Sequence, residues 1–255
     1  MDKIQIDKEK CIGCGKCVKD CVSFAIYLKD GKANVLKSCI ECGHCYAICP
    51  VGAVDMPSYD LEGTDIIASM TDIDDELLLR AIKSRRTIRQ YKDMAVEKEK
   101  IEKILEAGRY APTGANSQNV AFRILDSKRD IIEKECVKLF RNGATLGSKF
   151  SNSLKNVVID DHFFFKNAPL VIVVTGHDKV NSALASAYME IQANSLGLGV
   201  LYSGFFCSVA KMNPKIQRML KLPKGHKVAT CMIIGYPDVE YKRIAPRKKR
   251  DIQYI

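Results

Sequence analysis

The feature that most constrains this chain is a pair of cysteine runs near its N-terminus. They read Cys11-Ile-Gly-Cys14-Gly-Lys-Cys17-Val-Lys-Asp-Cys21 and Cys39-Ile-Glu-Cys42-Gly-His-Cys45-Tyr-Ala-Ile-Cys49-Pro50. Both follow C-x2-C-x2-C-x3-C, the second offset from the first by 28 residues, so the segment is an internal repeat. Of the 11 cysteines only Cys136, Cys207 and Cys231 lie outside it. Thiols this dense serve either a disulfide framework or metal ligation. Disulfide frameworks belong to exported proteins, and this N-terminus carries Lys3, Lys8 and Lys10 with no apolar signal segment. The spacing argues more strongly for metal, and a cytoplasmic location is the default expectation.

Three thiolates separated by two residues can wrap one face of a cuboidal iron–sulfur cluster, and in two-cluster ferredoxins the fourth cysteine of each run reaches the other cluster. On that pattern Cys11, Cys14, Cys17 and Cys49 are assigned to one [4Fe–4S] cluster, and Cys39, Cys42, Cys45 and Cys21 to a second. A pair of zinc sites is the alternative. Zinc usually draws four ligands from two separated pairs, which two complete four-cysteine runs fit poorly. Between the runs, Asp30-Gly31 is a two-residue hairpin signal flanked by strand-forming residues. Residues 1–57 resemble a bacterial 2[4Fe–4S] ferredoxin. Val22 stands where that family usually has proline, whereas Pro50 is present; the change removes no ligand. His44, inside the second run, is expected to be solvated rather than to tune a cluster.

The rest of the chain reads differently. Residues 58–74 mix polar and apolar types without a period and read as a linker. From Asp75 the pattern turns helical, with Asp74 or Asp75 as cap, and a second helix is expected over Glu97–Tyr110. Val120–Asp126, Pro169–Thr175 and Ala229–Gly235 are short apolar runs suited to buried strands. Ser182–Leu196 reads as a helix stopped by Gly197. Asp130–Asp161 reads as a helix near Ile131–Phe140 followed by a long loop. Elements in this order predict an α/β or α+β sheet layer covered by helices, and with the cysteine-bearing segment an α+β class for the whole chain. No apolar stretch is long enough to span a bilayer.

The formal charge is +10, from 40 basic and 30 acidic residues. Residues 1–57 contribute only +1, from eight lysines and seven acids. The excess concentrates at Lys83, Arg85, Arg86, Arg89 and Lys92, and again at Lys242, Arg243, Arg247, Lys248, Lys249 and Arg250. Such clusters suit nucleic acid, an acidic partner or one phosphate group. No nucleic-acid recognition motif accompanies them.

Three segments carry a second resemblance. Arg85-Arg86-Thr87-Ile88-Arg89-Gln-Tyr91 is similar to the R-R-S-x-R-x-F/Y box of the nitroreductase flavoprotein family. Ala111-Pro112-Thr113-Gly114-Ala115-Asn116-Ser117-Gln118 is similar to its A-P-S-x-x-N-x-Q loop, and Gly197-Leu-Gly199-Val-Leu-Tyr-Ser203-Gly204-Phe205 to its G-L-G-x-x-x-x-G segment. A basic tail with Arg247 and Lys248 also matches. The likeness covers residues 75–255 and implies a central sheet flanked by helices that binds FMN. A phosphate dianion wants charge-assisted donors in a fork geometry. Arg85, Arg86 and Thr87 are implied on one side of it, and Arg247 and Lys248 on the other. Arg89 and Asn116 are implied at the pyrimidine edge of the ring, and main chain near Ser203 and Gly204 over N5. Family members are intertwined homodimers, so Pro112 and Thr113 are expected at the FMN of the partner subunit. Asn119-Val120 stands where many members have Pro-Trp. That leaves the acceptor side of the site, and so the choice of substrate, open.

Together the two resemblances imply an iron–sulfur flavoprotein oxidoreductase, with domains at 1–57 and 75–255. Electrons pass through two [4Fe–4S] clusters to FMN and on to a nitroaromatic, quinone or activated alkene. A low-potential protein is the expected donor, with NAD(P)H as a further candidate. Neither nucleic acid nor membrane is an expected partner. No side chain is assigned as catalytic, because the chemistry lies at the flavin. The alternative is an electron-transfer module that relays electrons to or from a protein partner without turning over small molecules.

Overall fold

The computed structural model describes residues 3–36, 39–62, 64, 72–147 and 158–255. By its internal contacts the chain divides into two compact units, Met1–Ile73 with Thr113–Ser117, and Asp74–Pro112 with Gln118–Ile255. Of the expected linker, 58–74, residues 58–62, 64 and 72–74 are described; Tyr59 and Leu61 pack against the core of the first unit, with which the segment up to Ile73 groups.

The first unit is built twice over. Helices α1 (Lys16–Lys19) and α2 (His44–Ala47) each start on a glycine in the left-handed region, Gly15 at φ 72° and Gly43 at φ 79°. The repeat persists in other residues with positive φ: Gly13 (67°) matches Glu41 (56°), and Phe24 (51°) matches Gly52 (59°). Strand β1 (Gln5–Ile6) pairs antiparallel with β4 (Val54–Asp55), joining the two ends of the segment. β2 (Ile26–Lys29) and β3 (Lys32–Val35) form the expected hairpin, and its turn residues Asp30 and Gly31 have φ 51° and 71°. Positive φ at both turn positions matches the right-handed twist of the strands. Ile4, Ile26, Ala33, Ala53, Val54 and Met56 form a small core together with Cys11 and Cys45.

The second unit is a four-stranded antiparallel sheet in the order β5-β6-β8-β7, with β5 Val120–Ile124, β6 Leu170–Gly176, β7 Gly199–Tyr202 and β8 Lys227–Gly235. Side chains alternate across a strand, and here each face meets its own helices. Val171, Val173, Cys231 and Ile233 point to one core with Ile132, Cys136 and Val137 of α5 (Arg129–Gly147), Phe206 of α7 (Gly204–Met212) and Ile216 of α8 (Pro214–Met219). Leu170, Ile172, Val174, Met232 and Ile234 point to the other, with Ile104 of α4 (Lys98–Arg109) and Met189 and Ala193 of α6 (Lys179–Ser195). Both faces of β6 and β8 are covered, which is why those strands read as unbroken apolar runs.

α3 (Asp75–Ser84) is capped by Asp74, whose carboxylate accepts from Leu77 N at 2.7 Å. The expected helix at 131–140 is longer, reaching from Arg129 to Gly147, because polar Arg141 and Asn142 continue it where composition alone suggested a loop. Residues 148–157 lie outside the described part. Phe164 and Phe165 are core residues, and Phe163 packs half-buried beside Phe140 and Phe205. Among the described residues no helix is long and apolar enough to cross a membrane.

Candidate functional site

In the first unit the cysteines surround two cavities. One is lined by Cys11, Cys14, Cys17 and Cys49; the other by Cys21, Cys39, Cys42 and Cys45. Three cysteines of each set come from one run and the fourth from the other run. The lining residues repeat at the same offset: Ile12, Gly13, Gly15 and Lys16 at the first cavity answer to Ile40, Glu41, Gly43 and His44 at the second. Short helices α1 and α2 carry the third cysteine of each run, Cys17 and Cys45.

Main-chain N–H groups aim at the sulfurs. Ala25 N and Ala53 N each donate to the Sγ four residues back, Cys21 and Cys49, at 3.3 Å. Ala33 N donates to Cys11 Sγ at 3.4 Å, and Glu41 N to Cys39 Sγ at 3.2 Å. Hydrogen bonds from Ala33 and Gly13 hold the Cys11 thiol below its usual range, whereas burial pushes Cys45 up to about 11. Gly13 is a steric requirement, since a Cβ there would lie 2.0 Å from the Gly31 carbonyl oxygen. Among the described residues no three His, Cys, Asp or Glu side chains come close enough to grip a single metal ion. His44 is exposed and its Nδ1 lies 3.0 Å from Asp20 Oδ2, an arrangement of surface groups.

In the second unit, two of the segments singled out in the sequence come together. Ile88 N donates to Val200 O at 3.1 Å and Thr87 bridges Val200 in parallel, so residues 87–88 lie along the edge of β7. Tyr91 fastens the other end, its hydroxyl donating to Ile88 O at 2.9 Å and Ile233 O at 3.0 Å. Gly199 makes this approach possible: a Cβ there would stand 2.2 Å from Ile88 Cγ1. The glycine pair after α6 therefore has two duties. Gly197 ends the helix at φ 78°, and Gly199 admits Ile88.

This docking leaves Arg85 and Arg86 lining an open cavity with Ile82, Ile191, Leu198 and Tyr241. Arg85 Nη1 donates to Glu190 Oε1 at 2.7 Å, and the Arg86 guanidinium sits 5.3 Å from the centre of the Tyr241 ring. Arg89, Arg247 and Lys248 are exposed. Ser203 is buried at the N-cap position of α7, where its side chain makes no capping hydrogen bond, while Gly204 opens that helix with nothing within 4 Å of where its Cβ would be. Pro112 is exposed at the end of its segment of the second unit. Thr113–Ser117 group instead with the first unit, where Asn116 Nδ2 donates to Glu41 O at 2.7 Å and to Tyr59 Oη at 3.3 Å. Ala115, Asn116 and Gln118 all hold positive φ, at 50°, 52° and 45°, a concentration of backbone strain that marks the segment.

The sequence reading missed Glu190. Its signal was the one acid of a helix whose buried face otherwise holds the uncharged residues Asn181, Ser182, Ala185, Ser186, Met189 and Ala193, which periodicity flags but cannot partner. The remaining cysteines are inert in this setting: burial pushes Cys136 up to about 12 and Cys207 up to about 11, leaving both as thiols.

Comparison with known proteins agrees with both units. Residues 3–68 match the family model described as 4Fe-4S dicluster domain, and residues 82–236 match the Nitroreductase family. A putative NADH dehydrogenase/NAD(P)H nitroreductase of Archaeoglobus fulgidus is 26% identical over 165 residues, covering 65% of this chain and 88% of that protein. A component of the ion-translocating oxidoreductase complex of Methanosarcina acetivorans is 43% identical over 47 residues, 18% of each chain. A nitroreductase with bound FMN from Desulfitobacterium hafniense shares the fold, with a TM-score of 0.59 at 20% identity, covering 72% of this chain and 100% of that one. The chain thus belongs to the nitroreductase family of oxidoreductases and carries a 4Fe-4S dicluster domain ahead of it.

Proposed function

We propose that this chain holds two [4Fe–4S] clusters and one FMN, and that it moves electrons from a low-potential protein donor to a small organic acceptor. The observation that carries the reading is the pair of cavities, each lined by four cysteines drawn three from one run and one from the other. Thiolates with main-chain N–H donors at the sulfurs are the ligand set such clusters take. Two complete four-cysteine runs, rather than two separated pairs of ligands, favour clusters over zinc. Cys11, Cys14, Cys17 and Cys49 would hold one cluster, and Cys39, Cys42, Cys45 and Cys21 the other.

The donor set of the second unit fits a flavin phosphate. Arg85 and Arg86 line one cavity, and Thr87, Arg247 and Lys248 add donors from the same family segments. Ser203 and Gly204 offer main chain at the open start of α7, Arg89 and Asn116 serve the pyrimidine edge of the ring, and Pro112 and Thr113 reach the FMN of the partner subunit in a homodimer. The exposed apolar residues of α3 and α6, among them Leu77, Ile82, Leu184 and Ile191, support a partner subunit on that side of the unit. When bound, clusters of this kind carry single electrons and a flavin carries two, so one chain can join one-electron donors to two-electron acceptors. The chain's own part is to hold the groups, exclude water and supply charge. Domains at 1–57 and 75–255 joined by 58–74 remain the reading from sequence; the division of contacts between Ile73 and Asp74 agrees with the start of the second domain and groups 58–73 with the first unit. A cytoplasmic setting, where thiols stay reduced, suits the ligands.

Anaerobic turnover tests this reading. With a reduced ferredoxin or NAD(P)H as donor, quinones, nitroaromatics or activated alkenes are expected to be reduced catalytically. Stoichiometric flavin binding with no turnover of any of the three classes would favour the relay to a protein partner instead.

A further inference from the structure

Glu190 lies in the middle of α6 and is only 7% exposed. A carboxylate so placed is costly unless a cation and hydrogen bonds compensate it. Arg85 supplies the cation, Nη1 to Oε1 at 2.7 Å, with the arginine side chain 31% exposed and that of Glu190 10%. Burial, and then the charge of Glu190, push the neighbouring Tyr202 hydroxyl above its usual range; it stays protonated and donates to Ser186 O at 2.9 Å. Glu190 is therefore the buried member of the pair, beside the neutral Tyr202 hydroxyl, and the more exposed Arg85 is the partner with freedom to lose.

Arg85 is the C-cap of α3, its N–H donating to Ala81 O at 3.2 Å, and stands two residues before the segment that Gly199 admits to the edge of β7, so its main chain is held as well. A guanidinium has five donors in a planar fork. Among the described hydrogen bonds Arg85 uses Nη1 alone, and the residue lines the cavity it shares with Arg86. We propose that Glu190 is a positioning residue: its carboxylate holds one edge of the Arg85 guanidinium so that the remaining donors meet a flavin phosphate. The inference rests on the FMN reading above. Two effects of the carboxylate oppose each other. Its charge weakens the attraction of the site for an anion, while its grip removes the rotamer freedom that a long side chain otherwise loses on binding. Alignment wins here, because the carboxylate and guanidinium already neutralise each other at contact distance, whereas every donor of the fork depends on its orientation.

The test compares two flavins on the full-length protein with its clusters intact. FMN carries the phosphate and riboflavin lacks it, and both affinities are read from quenching of flavin fluorescence. In Glu190→Gln, which keeps the side-chain shape, FMN affinity is expected to fall about tenfold and riboflavin affinity to change less than about twofold. In an Arg85→Ala background the same change is expected to cost FMN nothing, because the residue through which Glu190 acts is gone. Unchanged or tighter FMN binding in Glu190→Gln overturns the proposal. So does an equal loss for both flavins, the mark of a structural role, or an FMN loss that persists without Arg85. Glu190→Asp, which keeps the charge on a shorter arm, is expected to retain more FMN affinity than Glu190→Ala, and the reverse order also counts against the proposal. A wild-type protein that binds no FMN would instead sink the parent reading, and is distinguished by that result alone.

Discussion

A methyl group at position 199 probes the junction on which the second unit's site depends. In Gly199→Ala the new Cβ would stand 2.2 Å from Ile88 Cγ1, 2.8 Å from its Cβ and 3.1 Å from its Cγ2. Ile88 is 6% exposed, and its N–H donates to Val200 O, so it cannot retreat without breaking the bridge at Thr87. Overpacking of this kind costs about 1–3 kcal/mol, and the hydrogen bond at risk adds about 1 kcal/mol, for roughly 2–4 kcal/mol in all. With a urea dependence of about 2 kcal/mol per molar, the unfolding midpoint falls by about 1–2 M. Far-UV circular dichroism of the full chain reads this, because α3 to α8 provide most of the helix. Flavin should be lost from the variant as well, since Arg85 and Arg86 lead into the displaced residue. Gly197→Ala is the control: its Cβ meets nothing within 4 Å, and only the φ of 78° is strained, for about 1 kcal/mol. A Gly199→Ala protein that unfolds within about 0.2 M urea of wild type and keeps its flavin would refute the steric account.

Three further outcomes are expected. Gly13→Ala, which puts a Cβ 2.0 Å from the Gly31 carbonyl oxygen at a φ of 67°, should cost the cluster nearest Cys11 and Cys14; iron analysis should fall from about eight to about four per chain, and full iron content would contradict this. His226 is held below the usual histidine range by burial and then by the charges of His177 and Arg123, so the folded state favours its neutral form. Its contribution to stability is present above about pH 6.5 and is lost as pH falls through the depressed value, so His226→Gln should narrow the gap in melting temperature between about pH 7.5 and 6; an unchanged gap counts against it. Ile191 is 46% exposed on α6. Light scattering of wild type should give twice the chain mass of 28.5 kDa, and Ile191→Asp should shift it toward the single-chain value; a wild-type monomer would remove the proposed partner subunit.

The cysteine unit was legible because its chemistry sits in the local spacing. A repeat of 28 residues places equivalent turns, helices and N–H donors around two cavities, and even the positive φ of Asp30 and Gly31 could be read from the residue pair. The buried strands β6 and β8 were legible for a related reason, since a sheet covered on both faces writes itself as a continuous apolar run. α5 was underestimated because its C-terminal half is polar and exposed, which a periodicity argument cannot tell from a loop. β7 was hidden inside the glycine-rich segment; those glycines signalled a helix stop and gave no hint that Gly199 clears space for Ile88. The Arg85–Glu190 pair links residues 105 positions apart, and no local pattern can propose such a partner. Asn116, named as a flavin contact by family pattern, groups with Glu41 and Tyr59 in the cysteine-bearing unit. Where a loop of this kind settles depends on tertiary and subunit packing, which the motif does not encode.

The most direct test of the central claim is an anaerobic reductive titration of the purified protein, followed by absorbance, with iron, sulfide and FMN quantified in the same sample. The account predicts about eight iron atoms and one FMN per chain, with cluster and flavin absorbance bleaching in a linked sequence as electrons are added. Iron in that amount without flavin would contradict the flavin site and return Arg85, Arg86, Arg247 and Lys248 to the status of surface charge. Flavin with about two zinc ions and no iron would contradict the cluster reading of the cysteine runs.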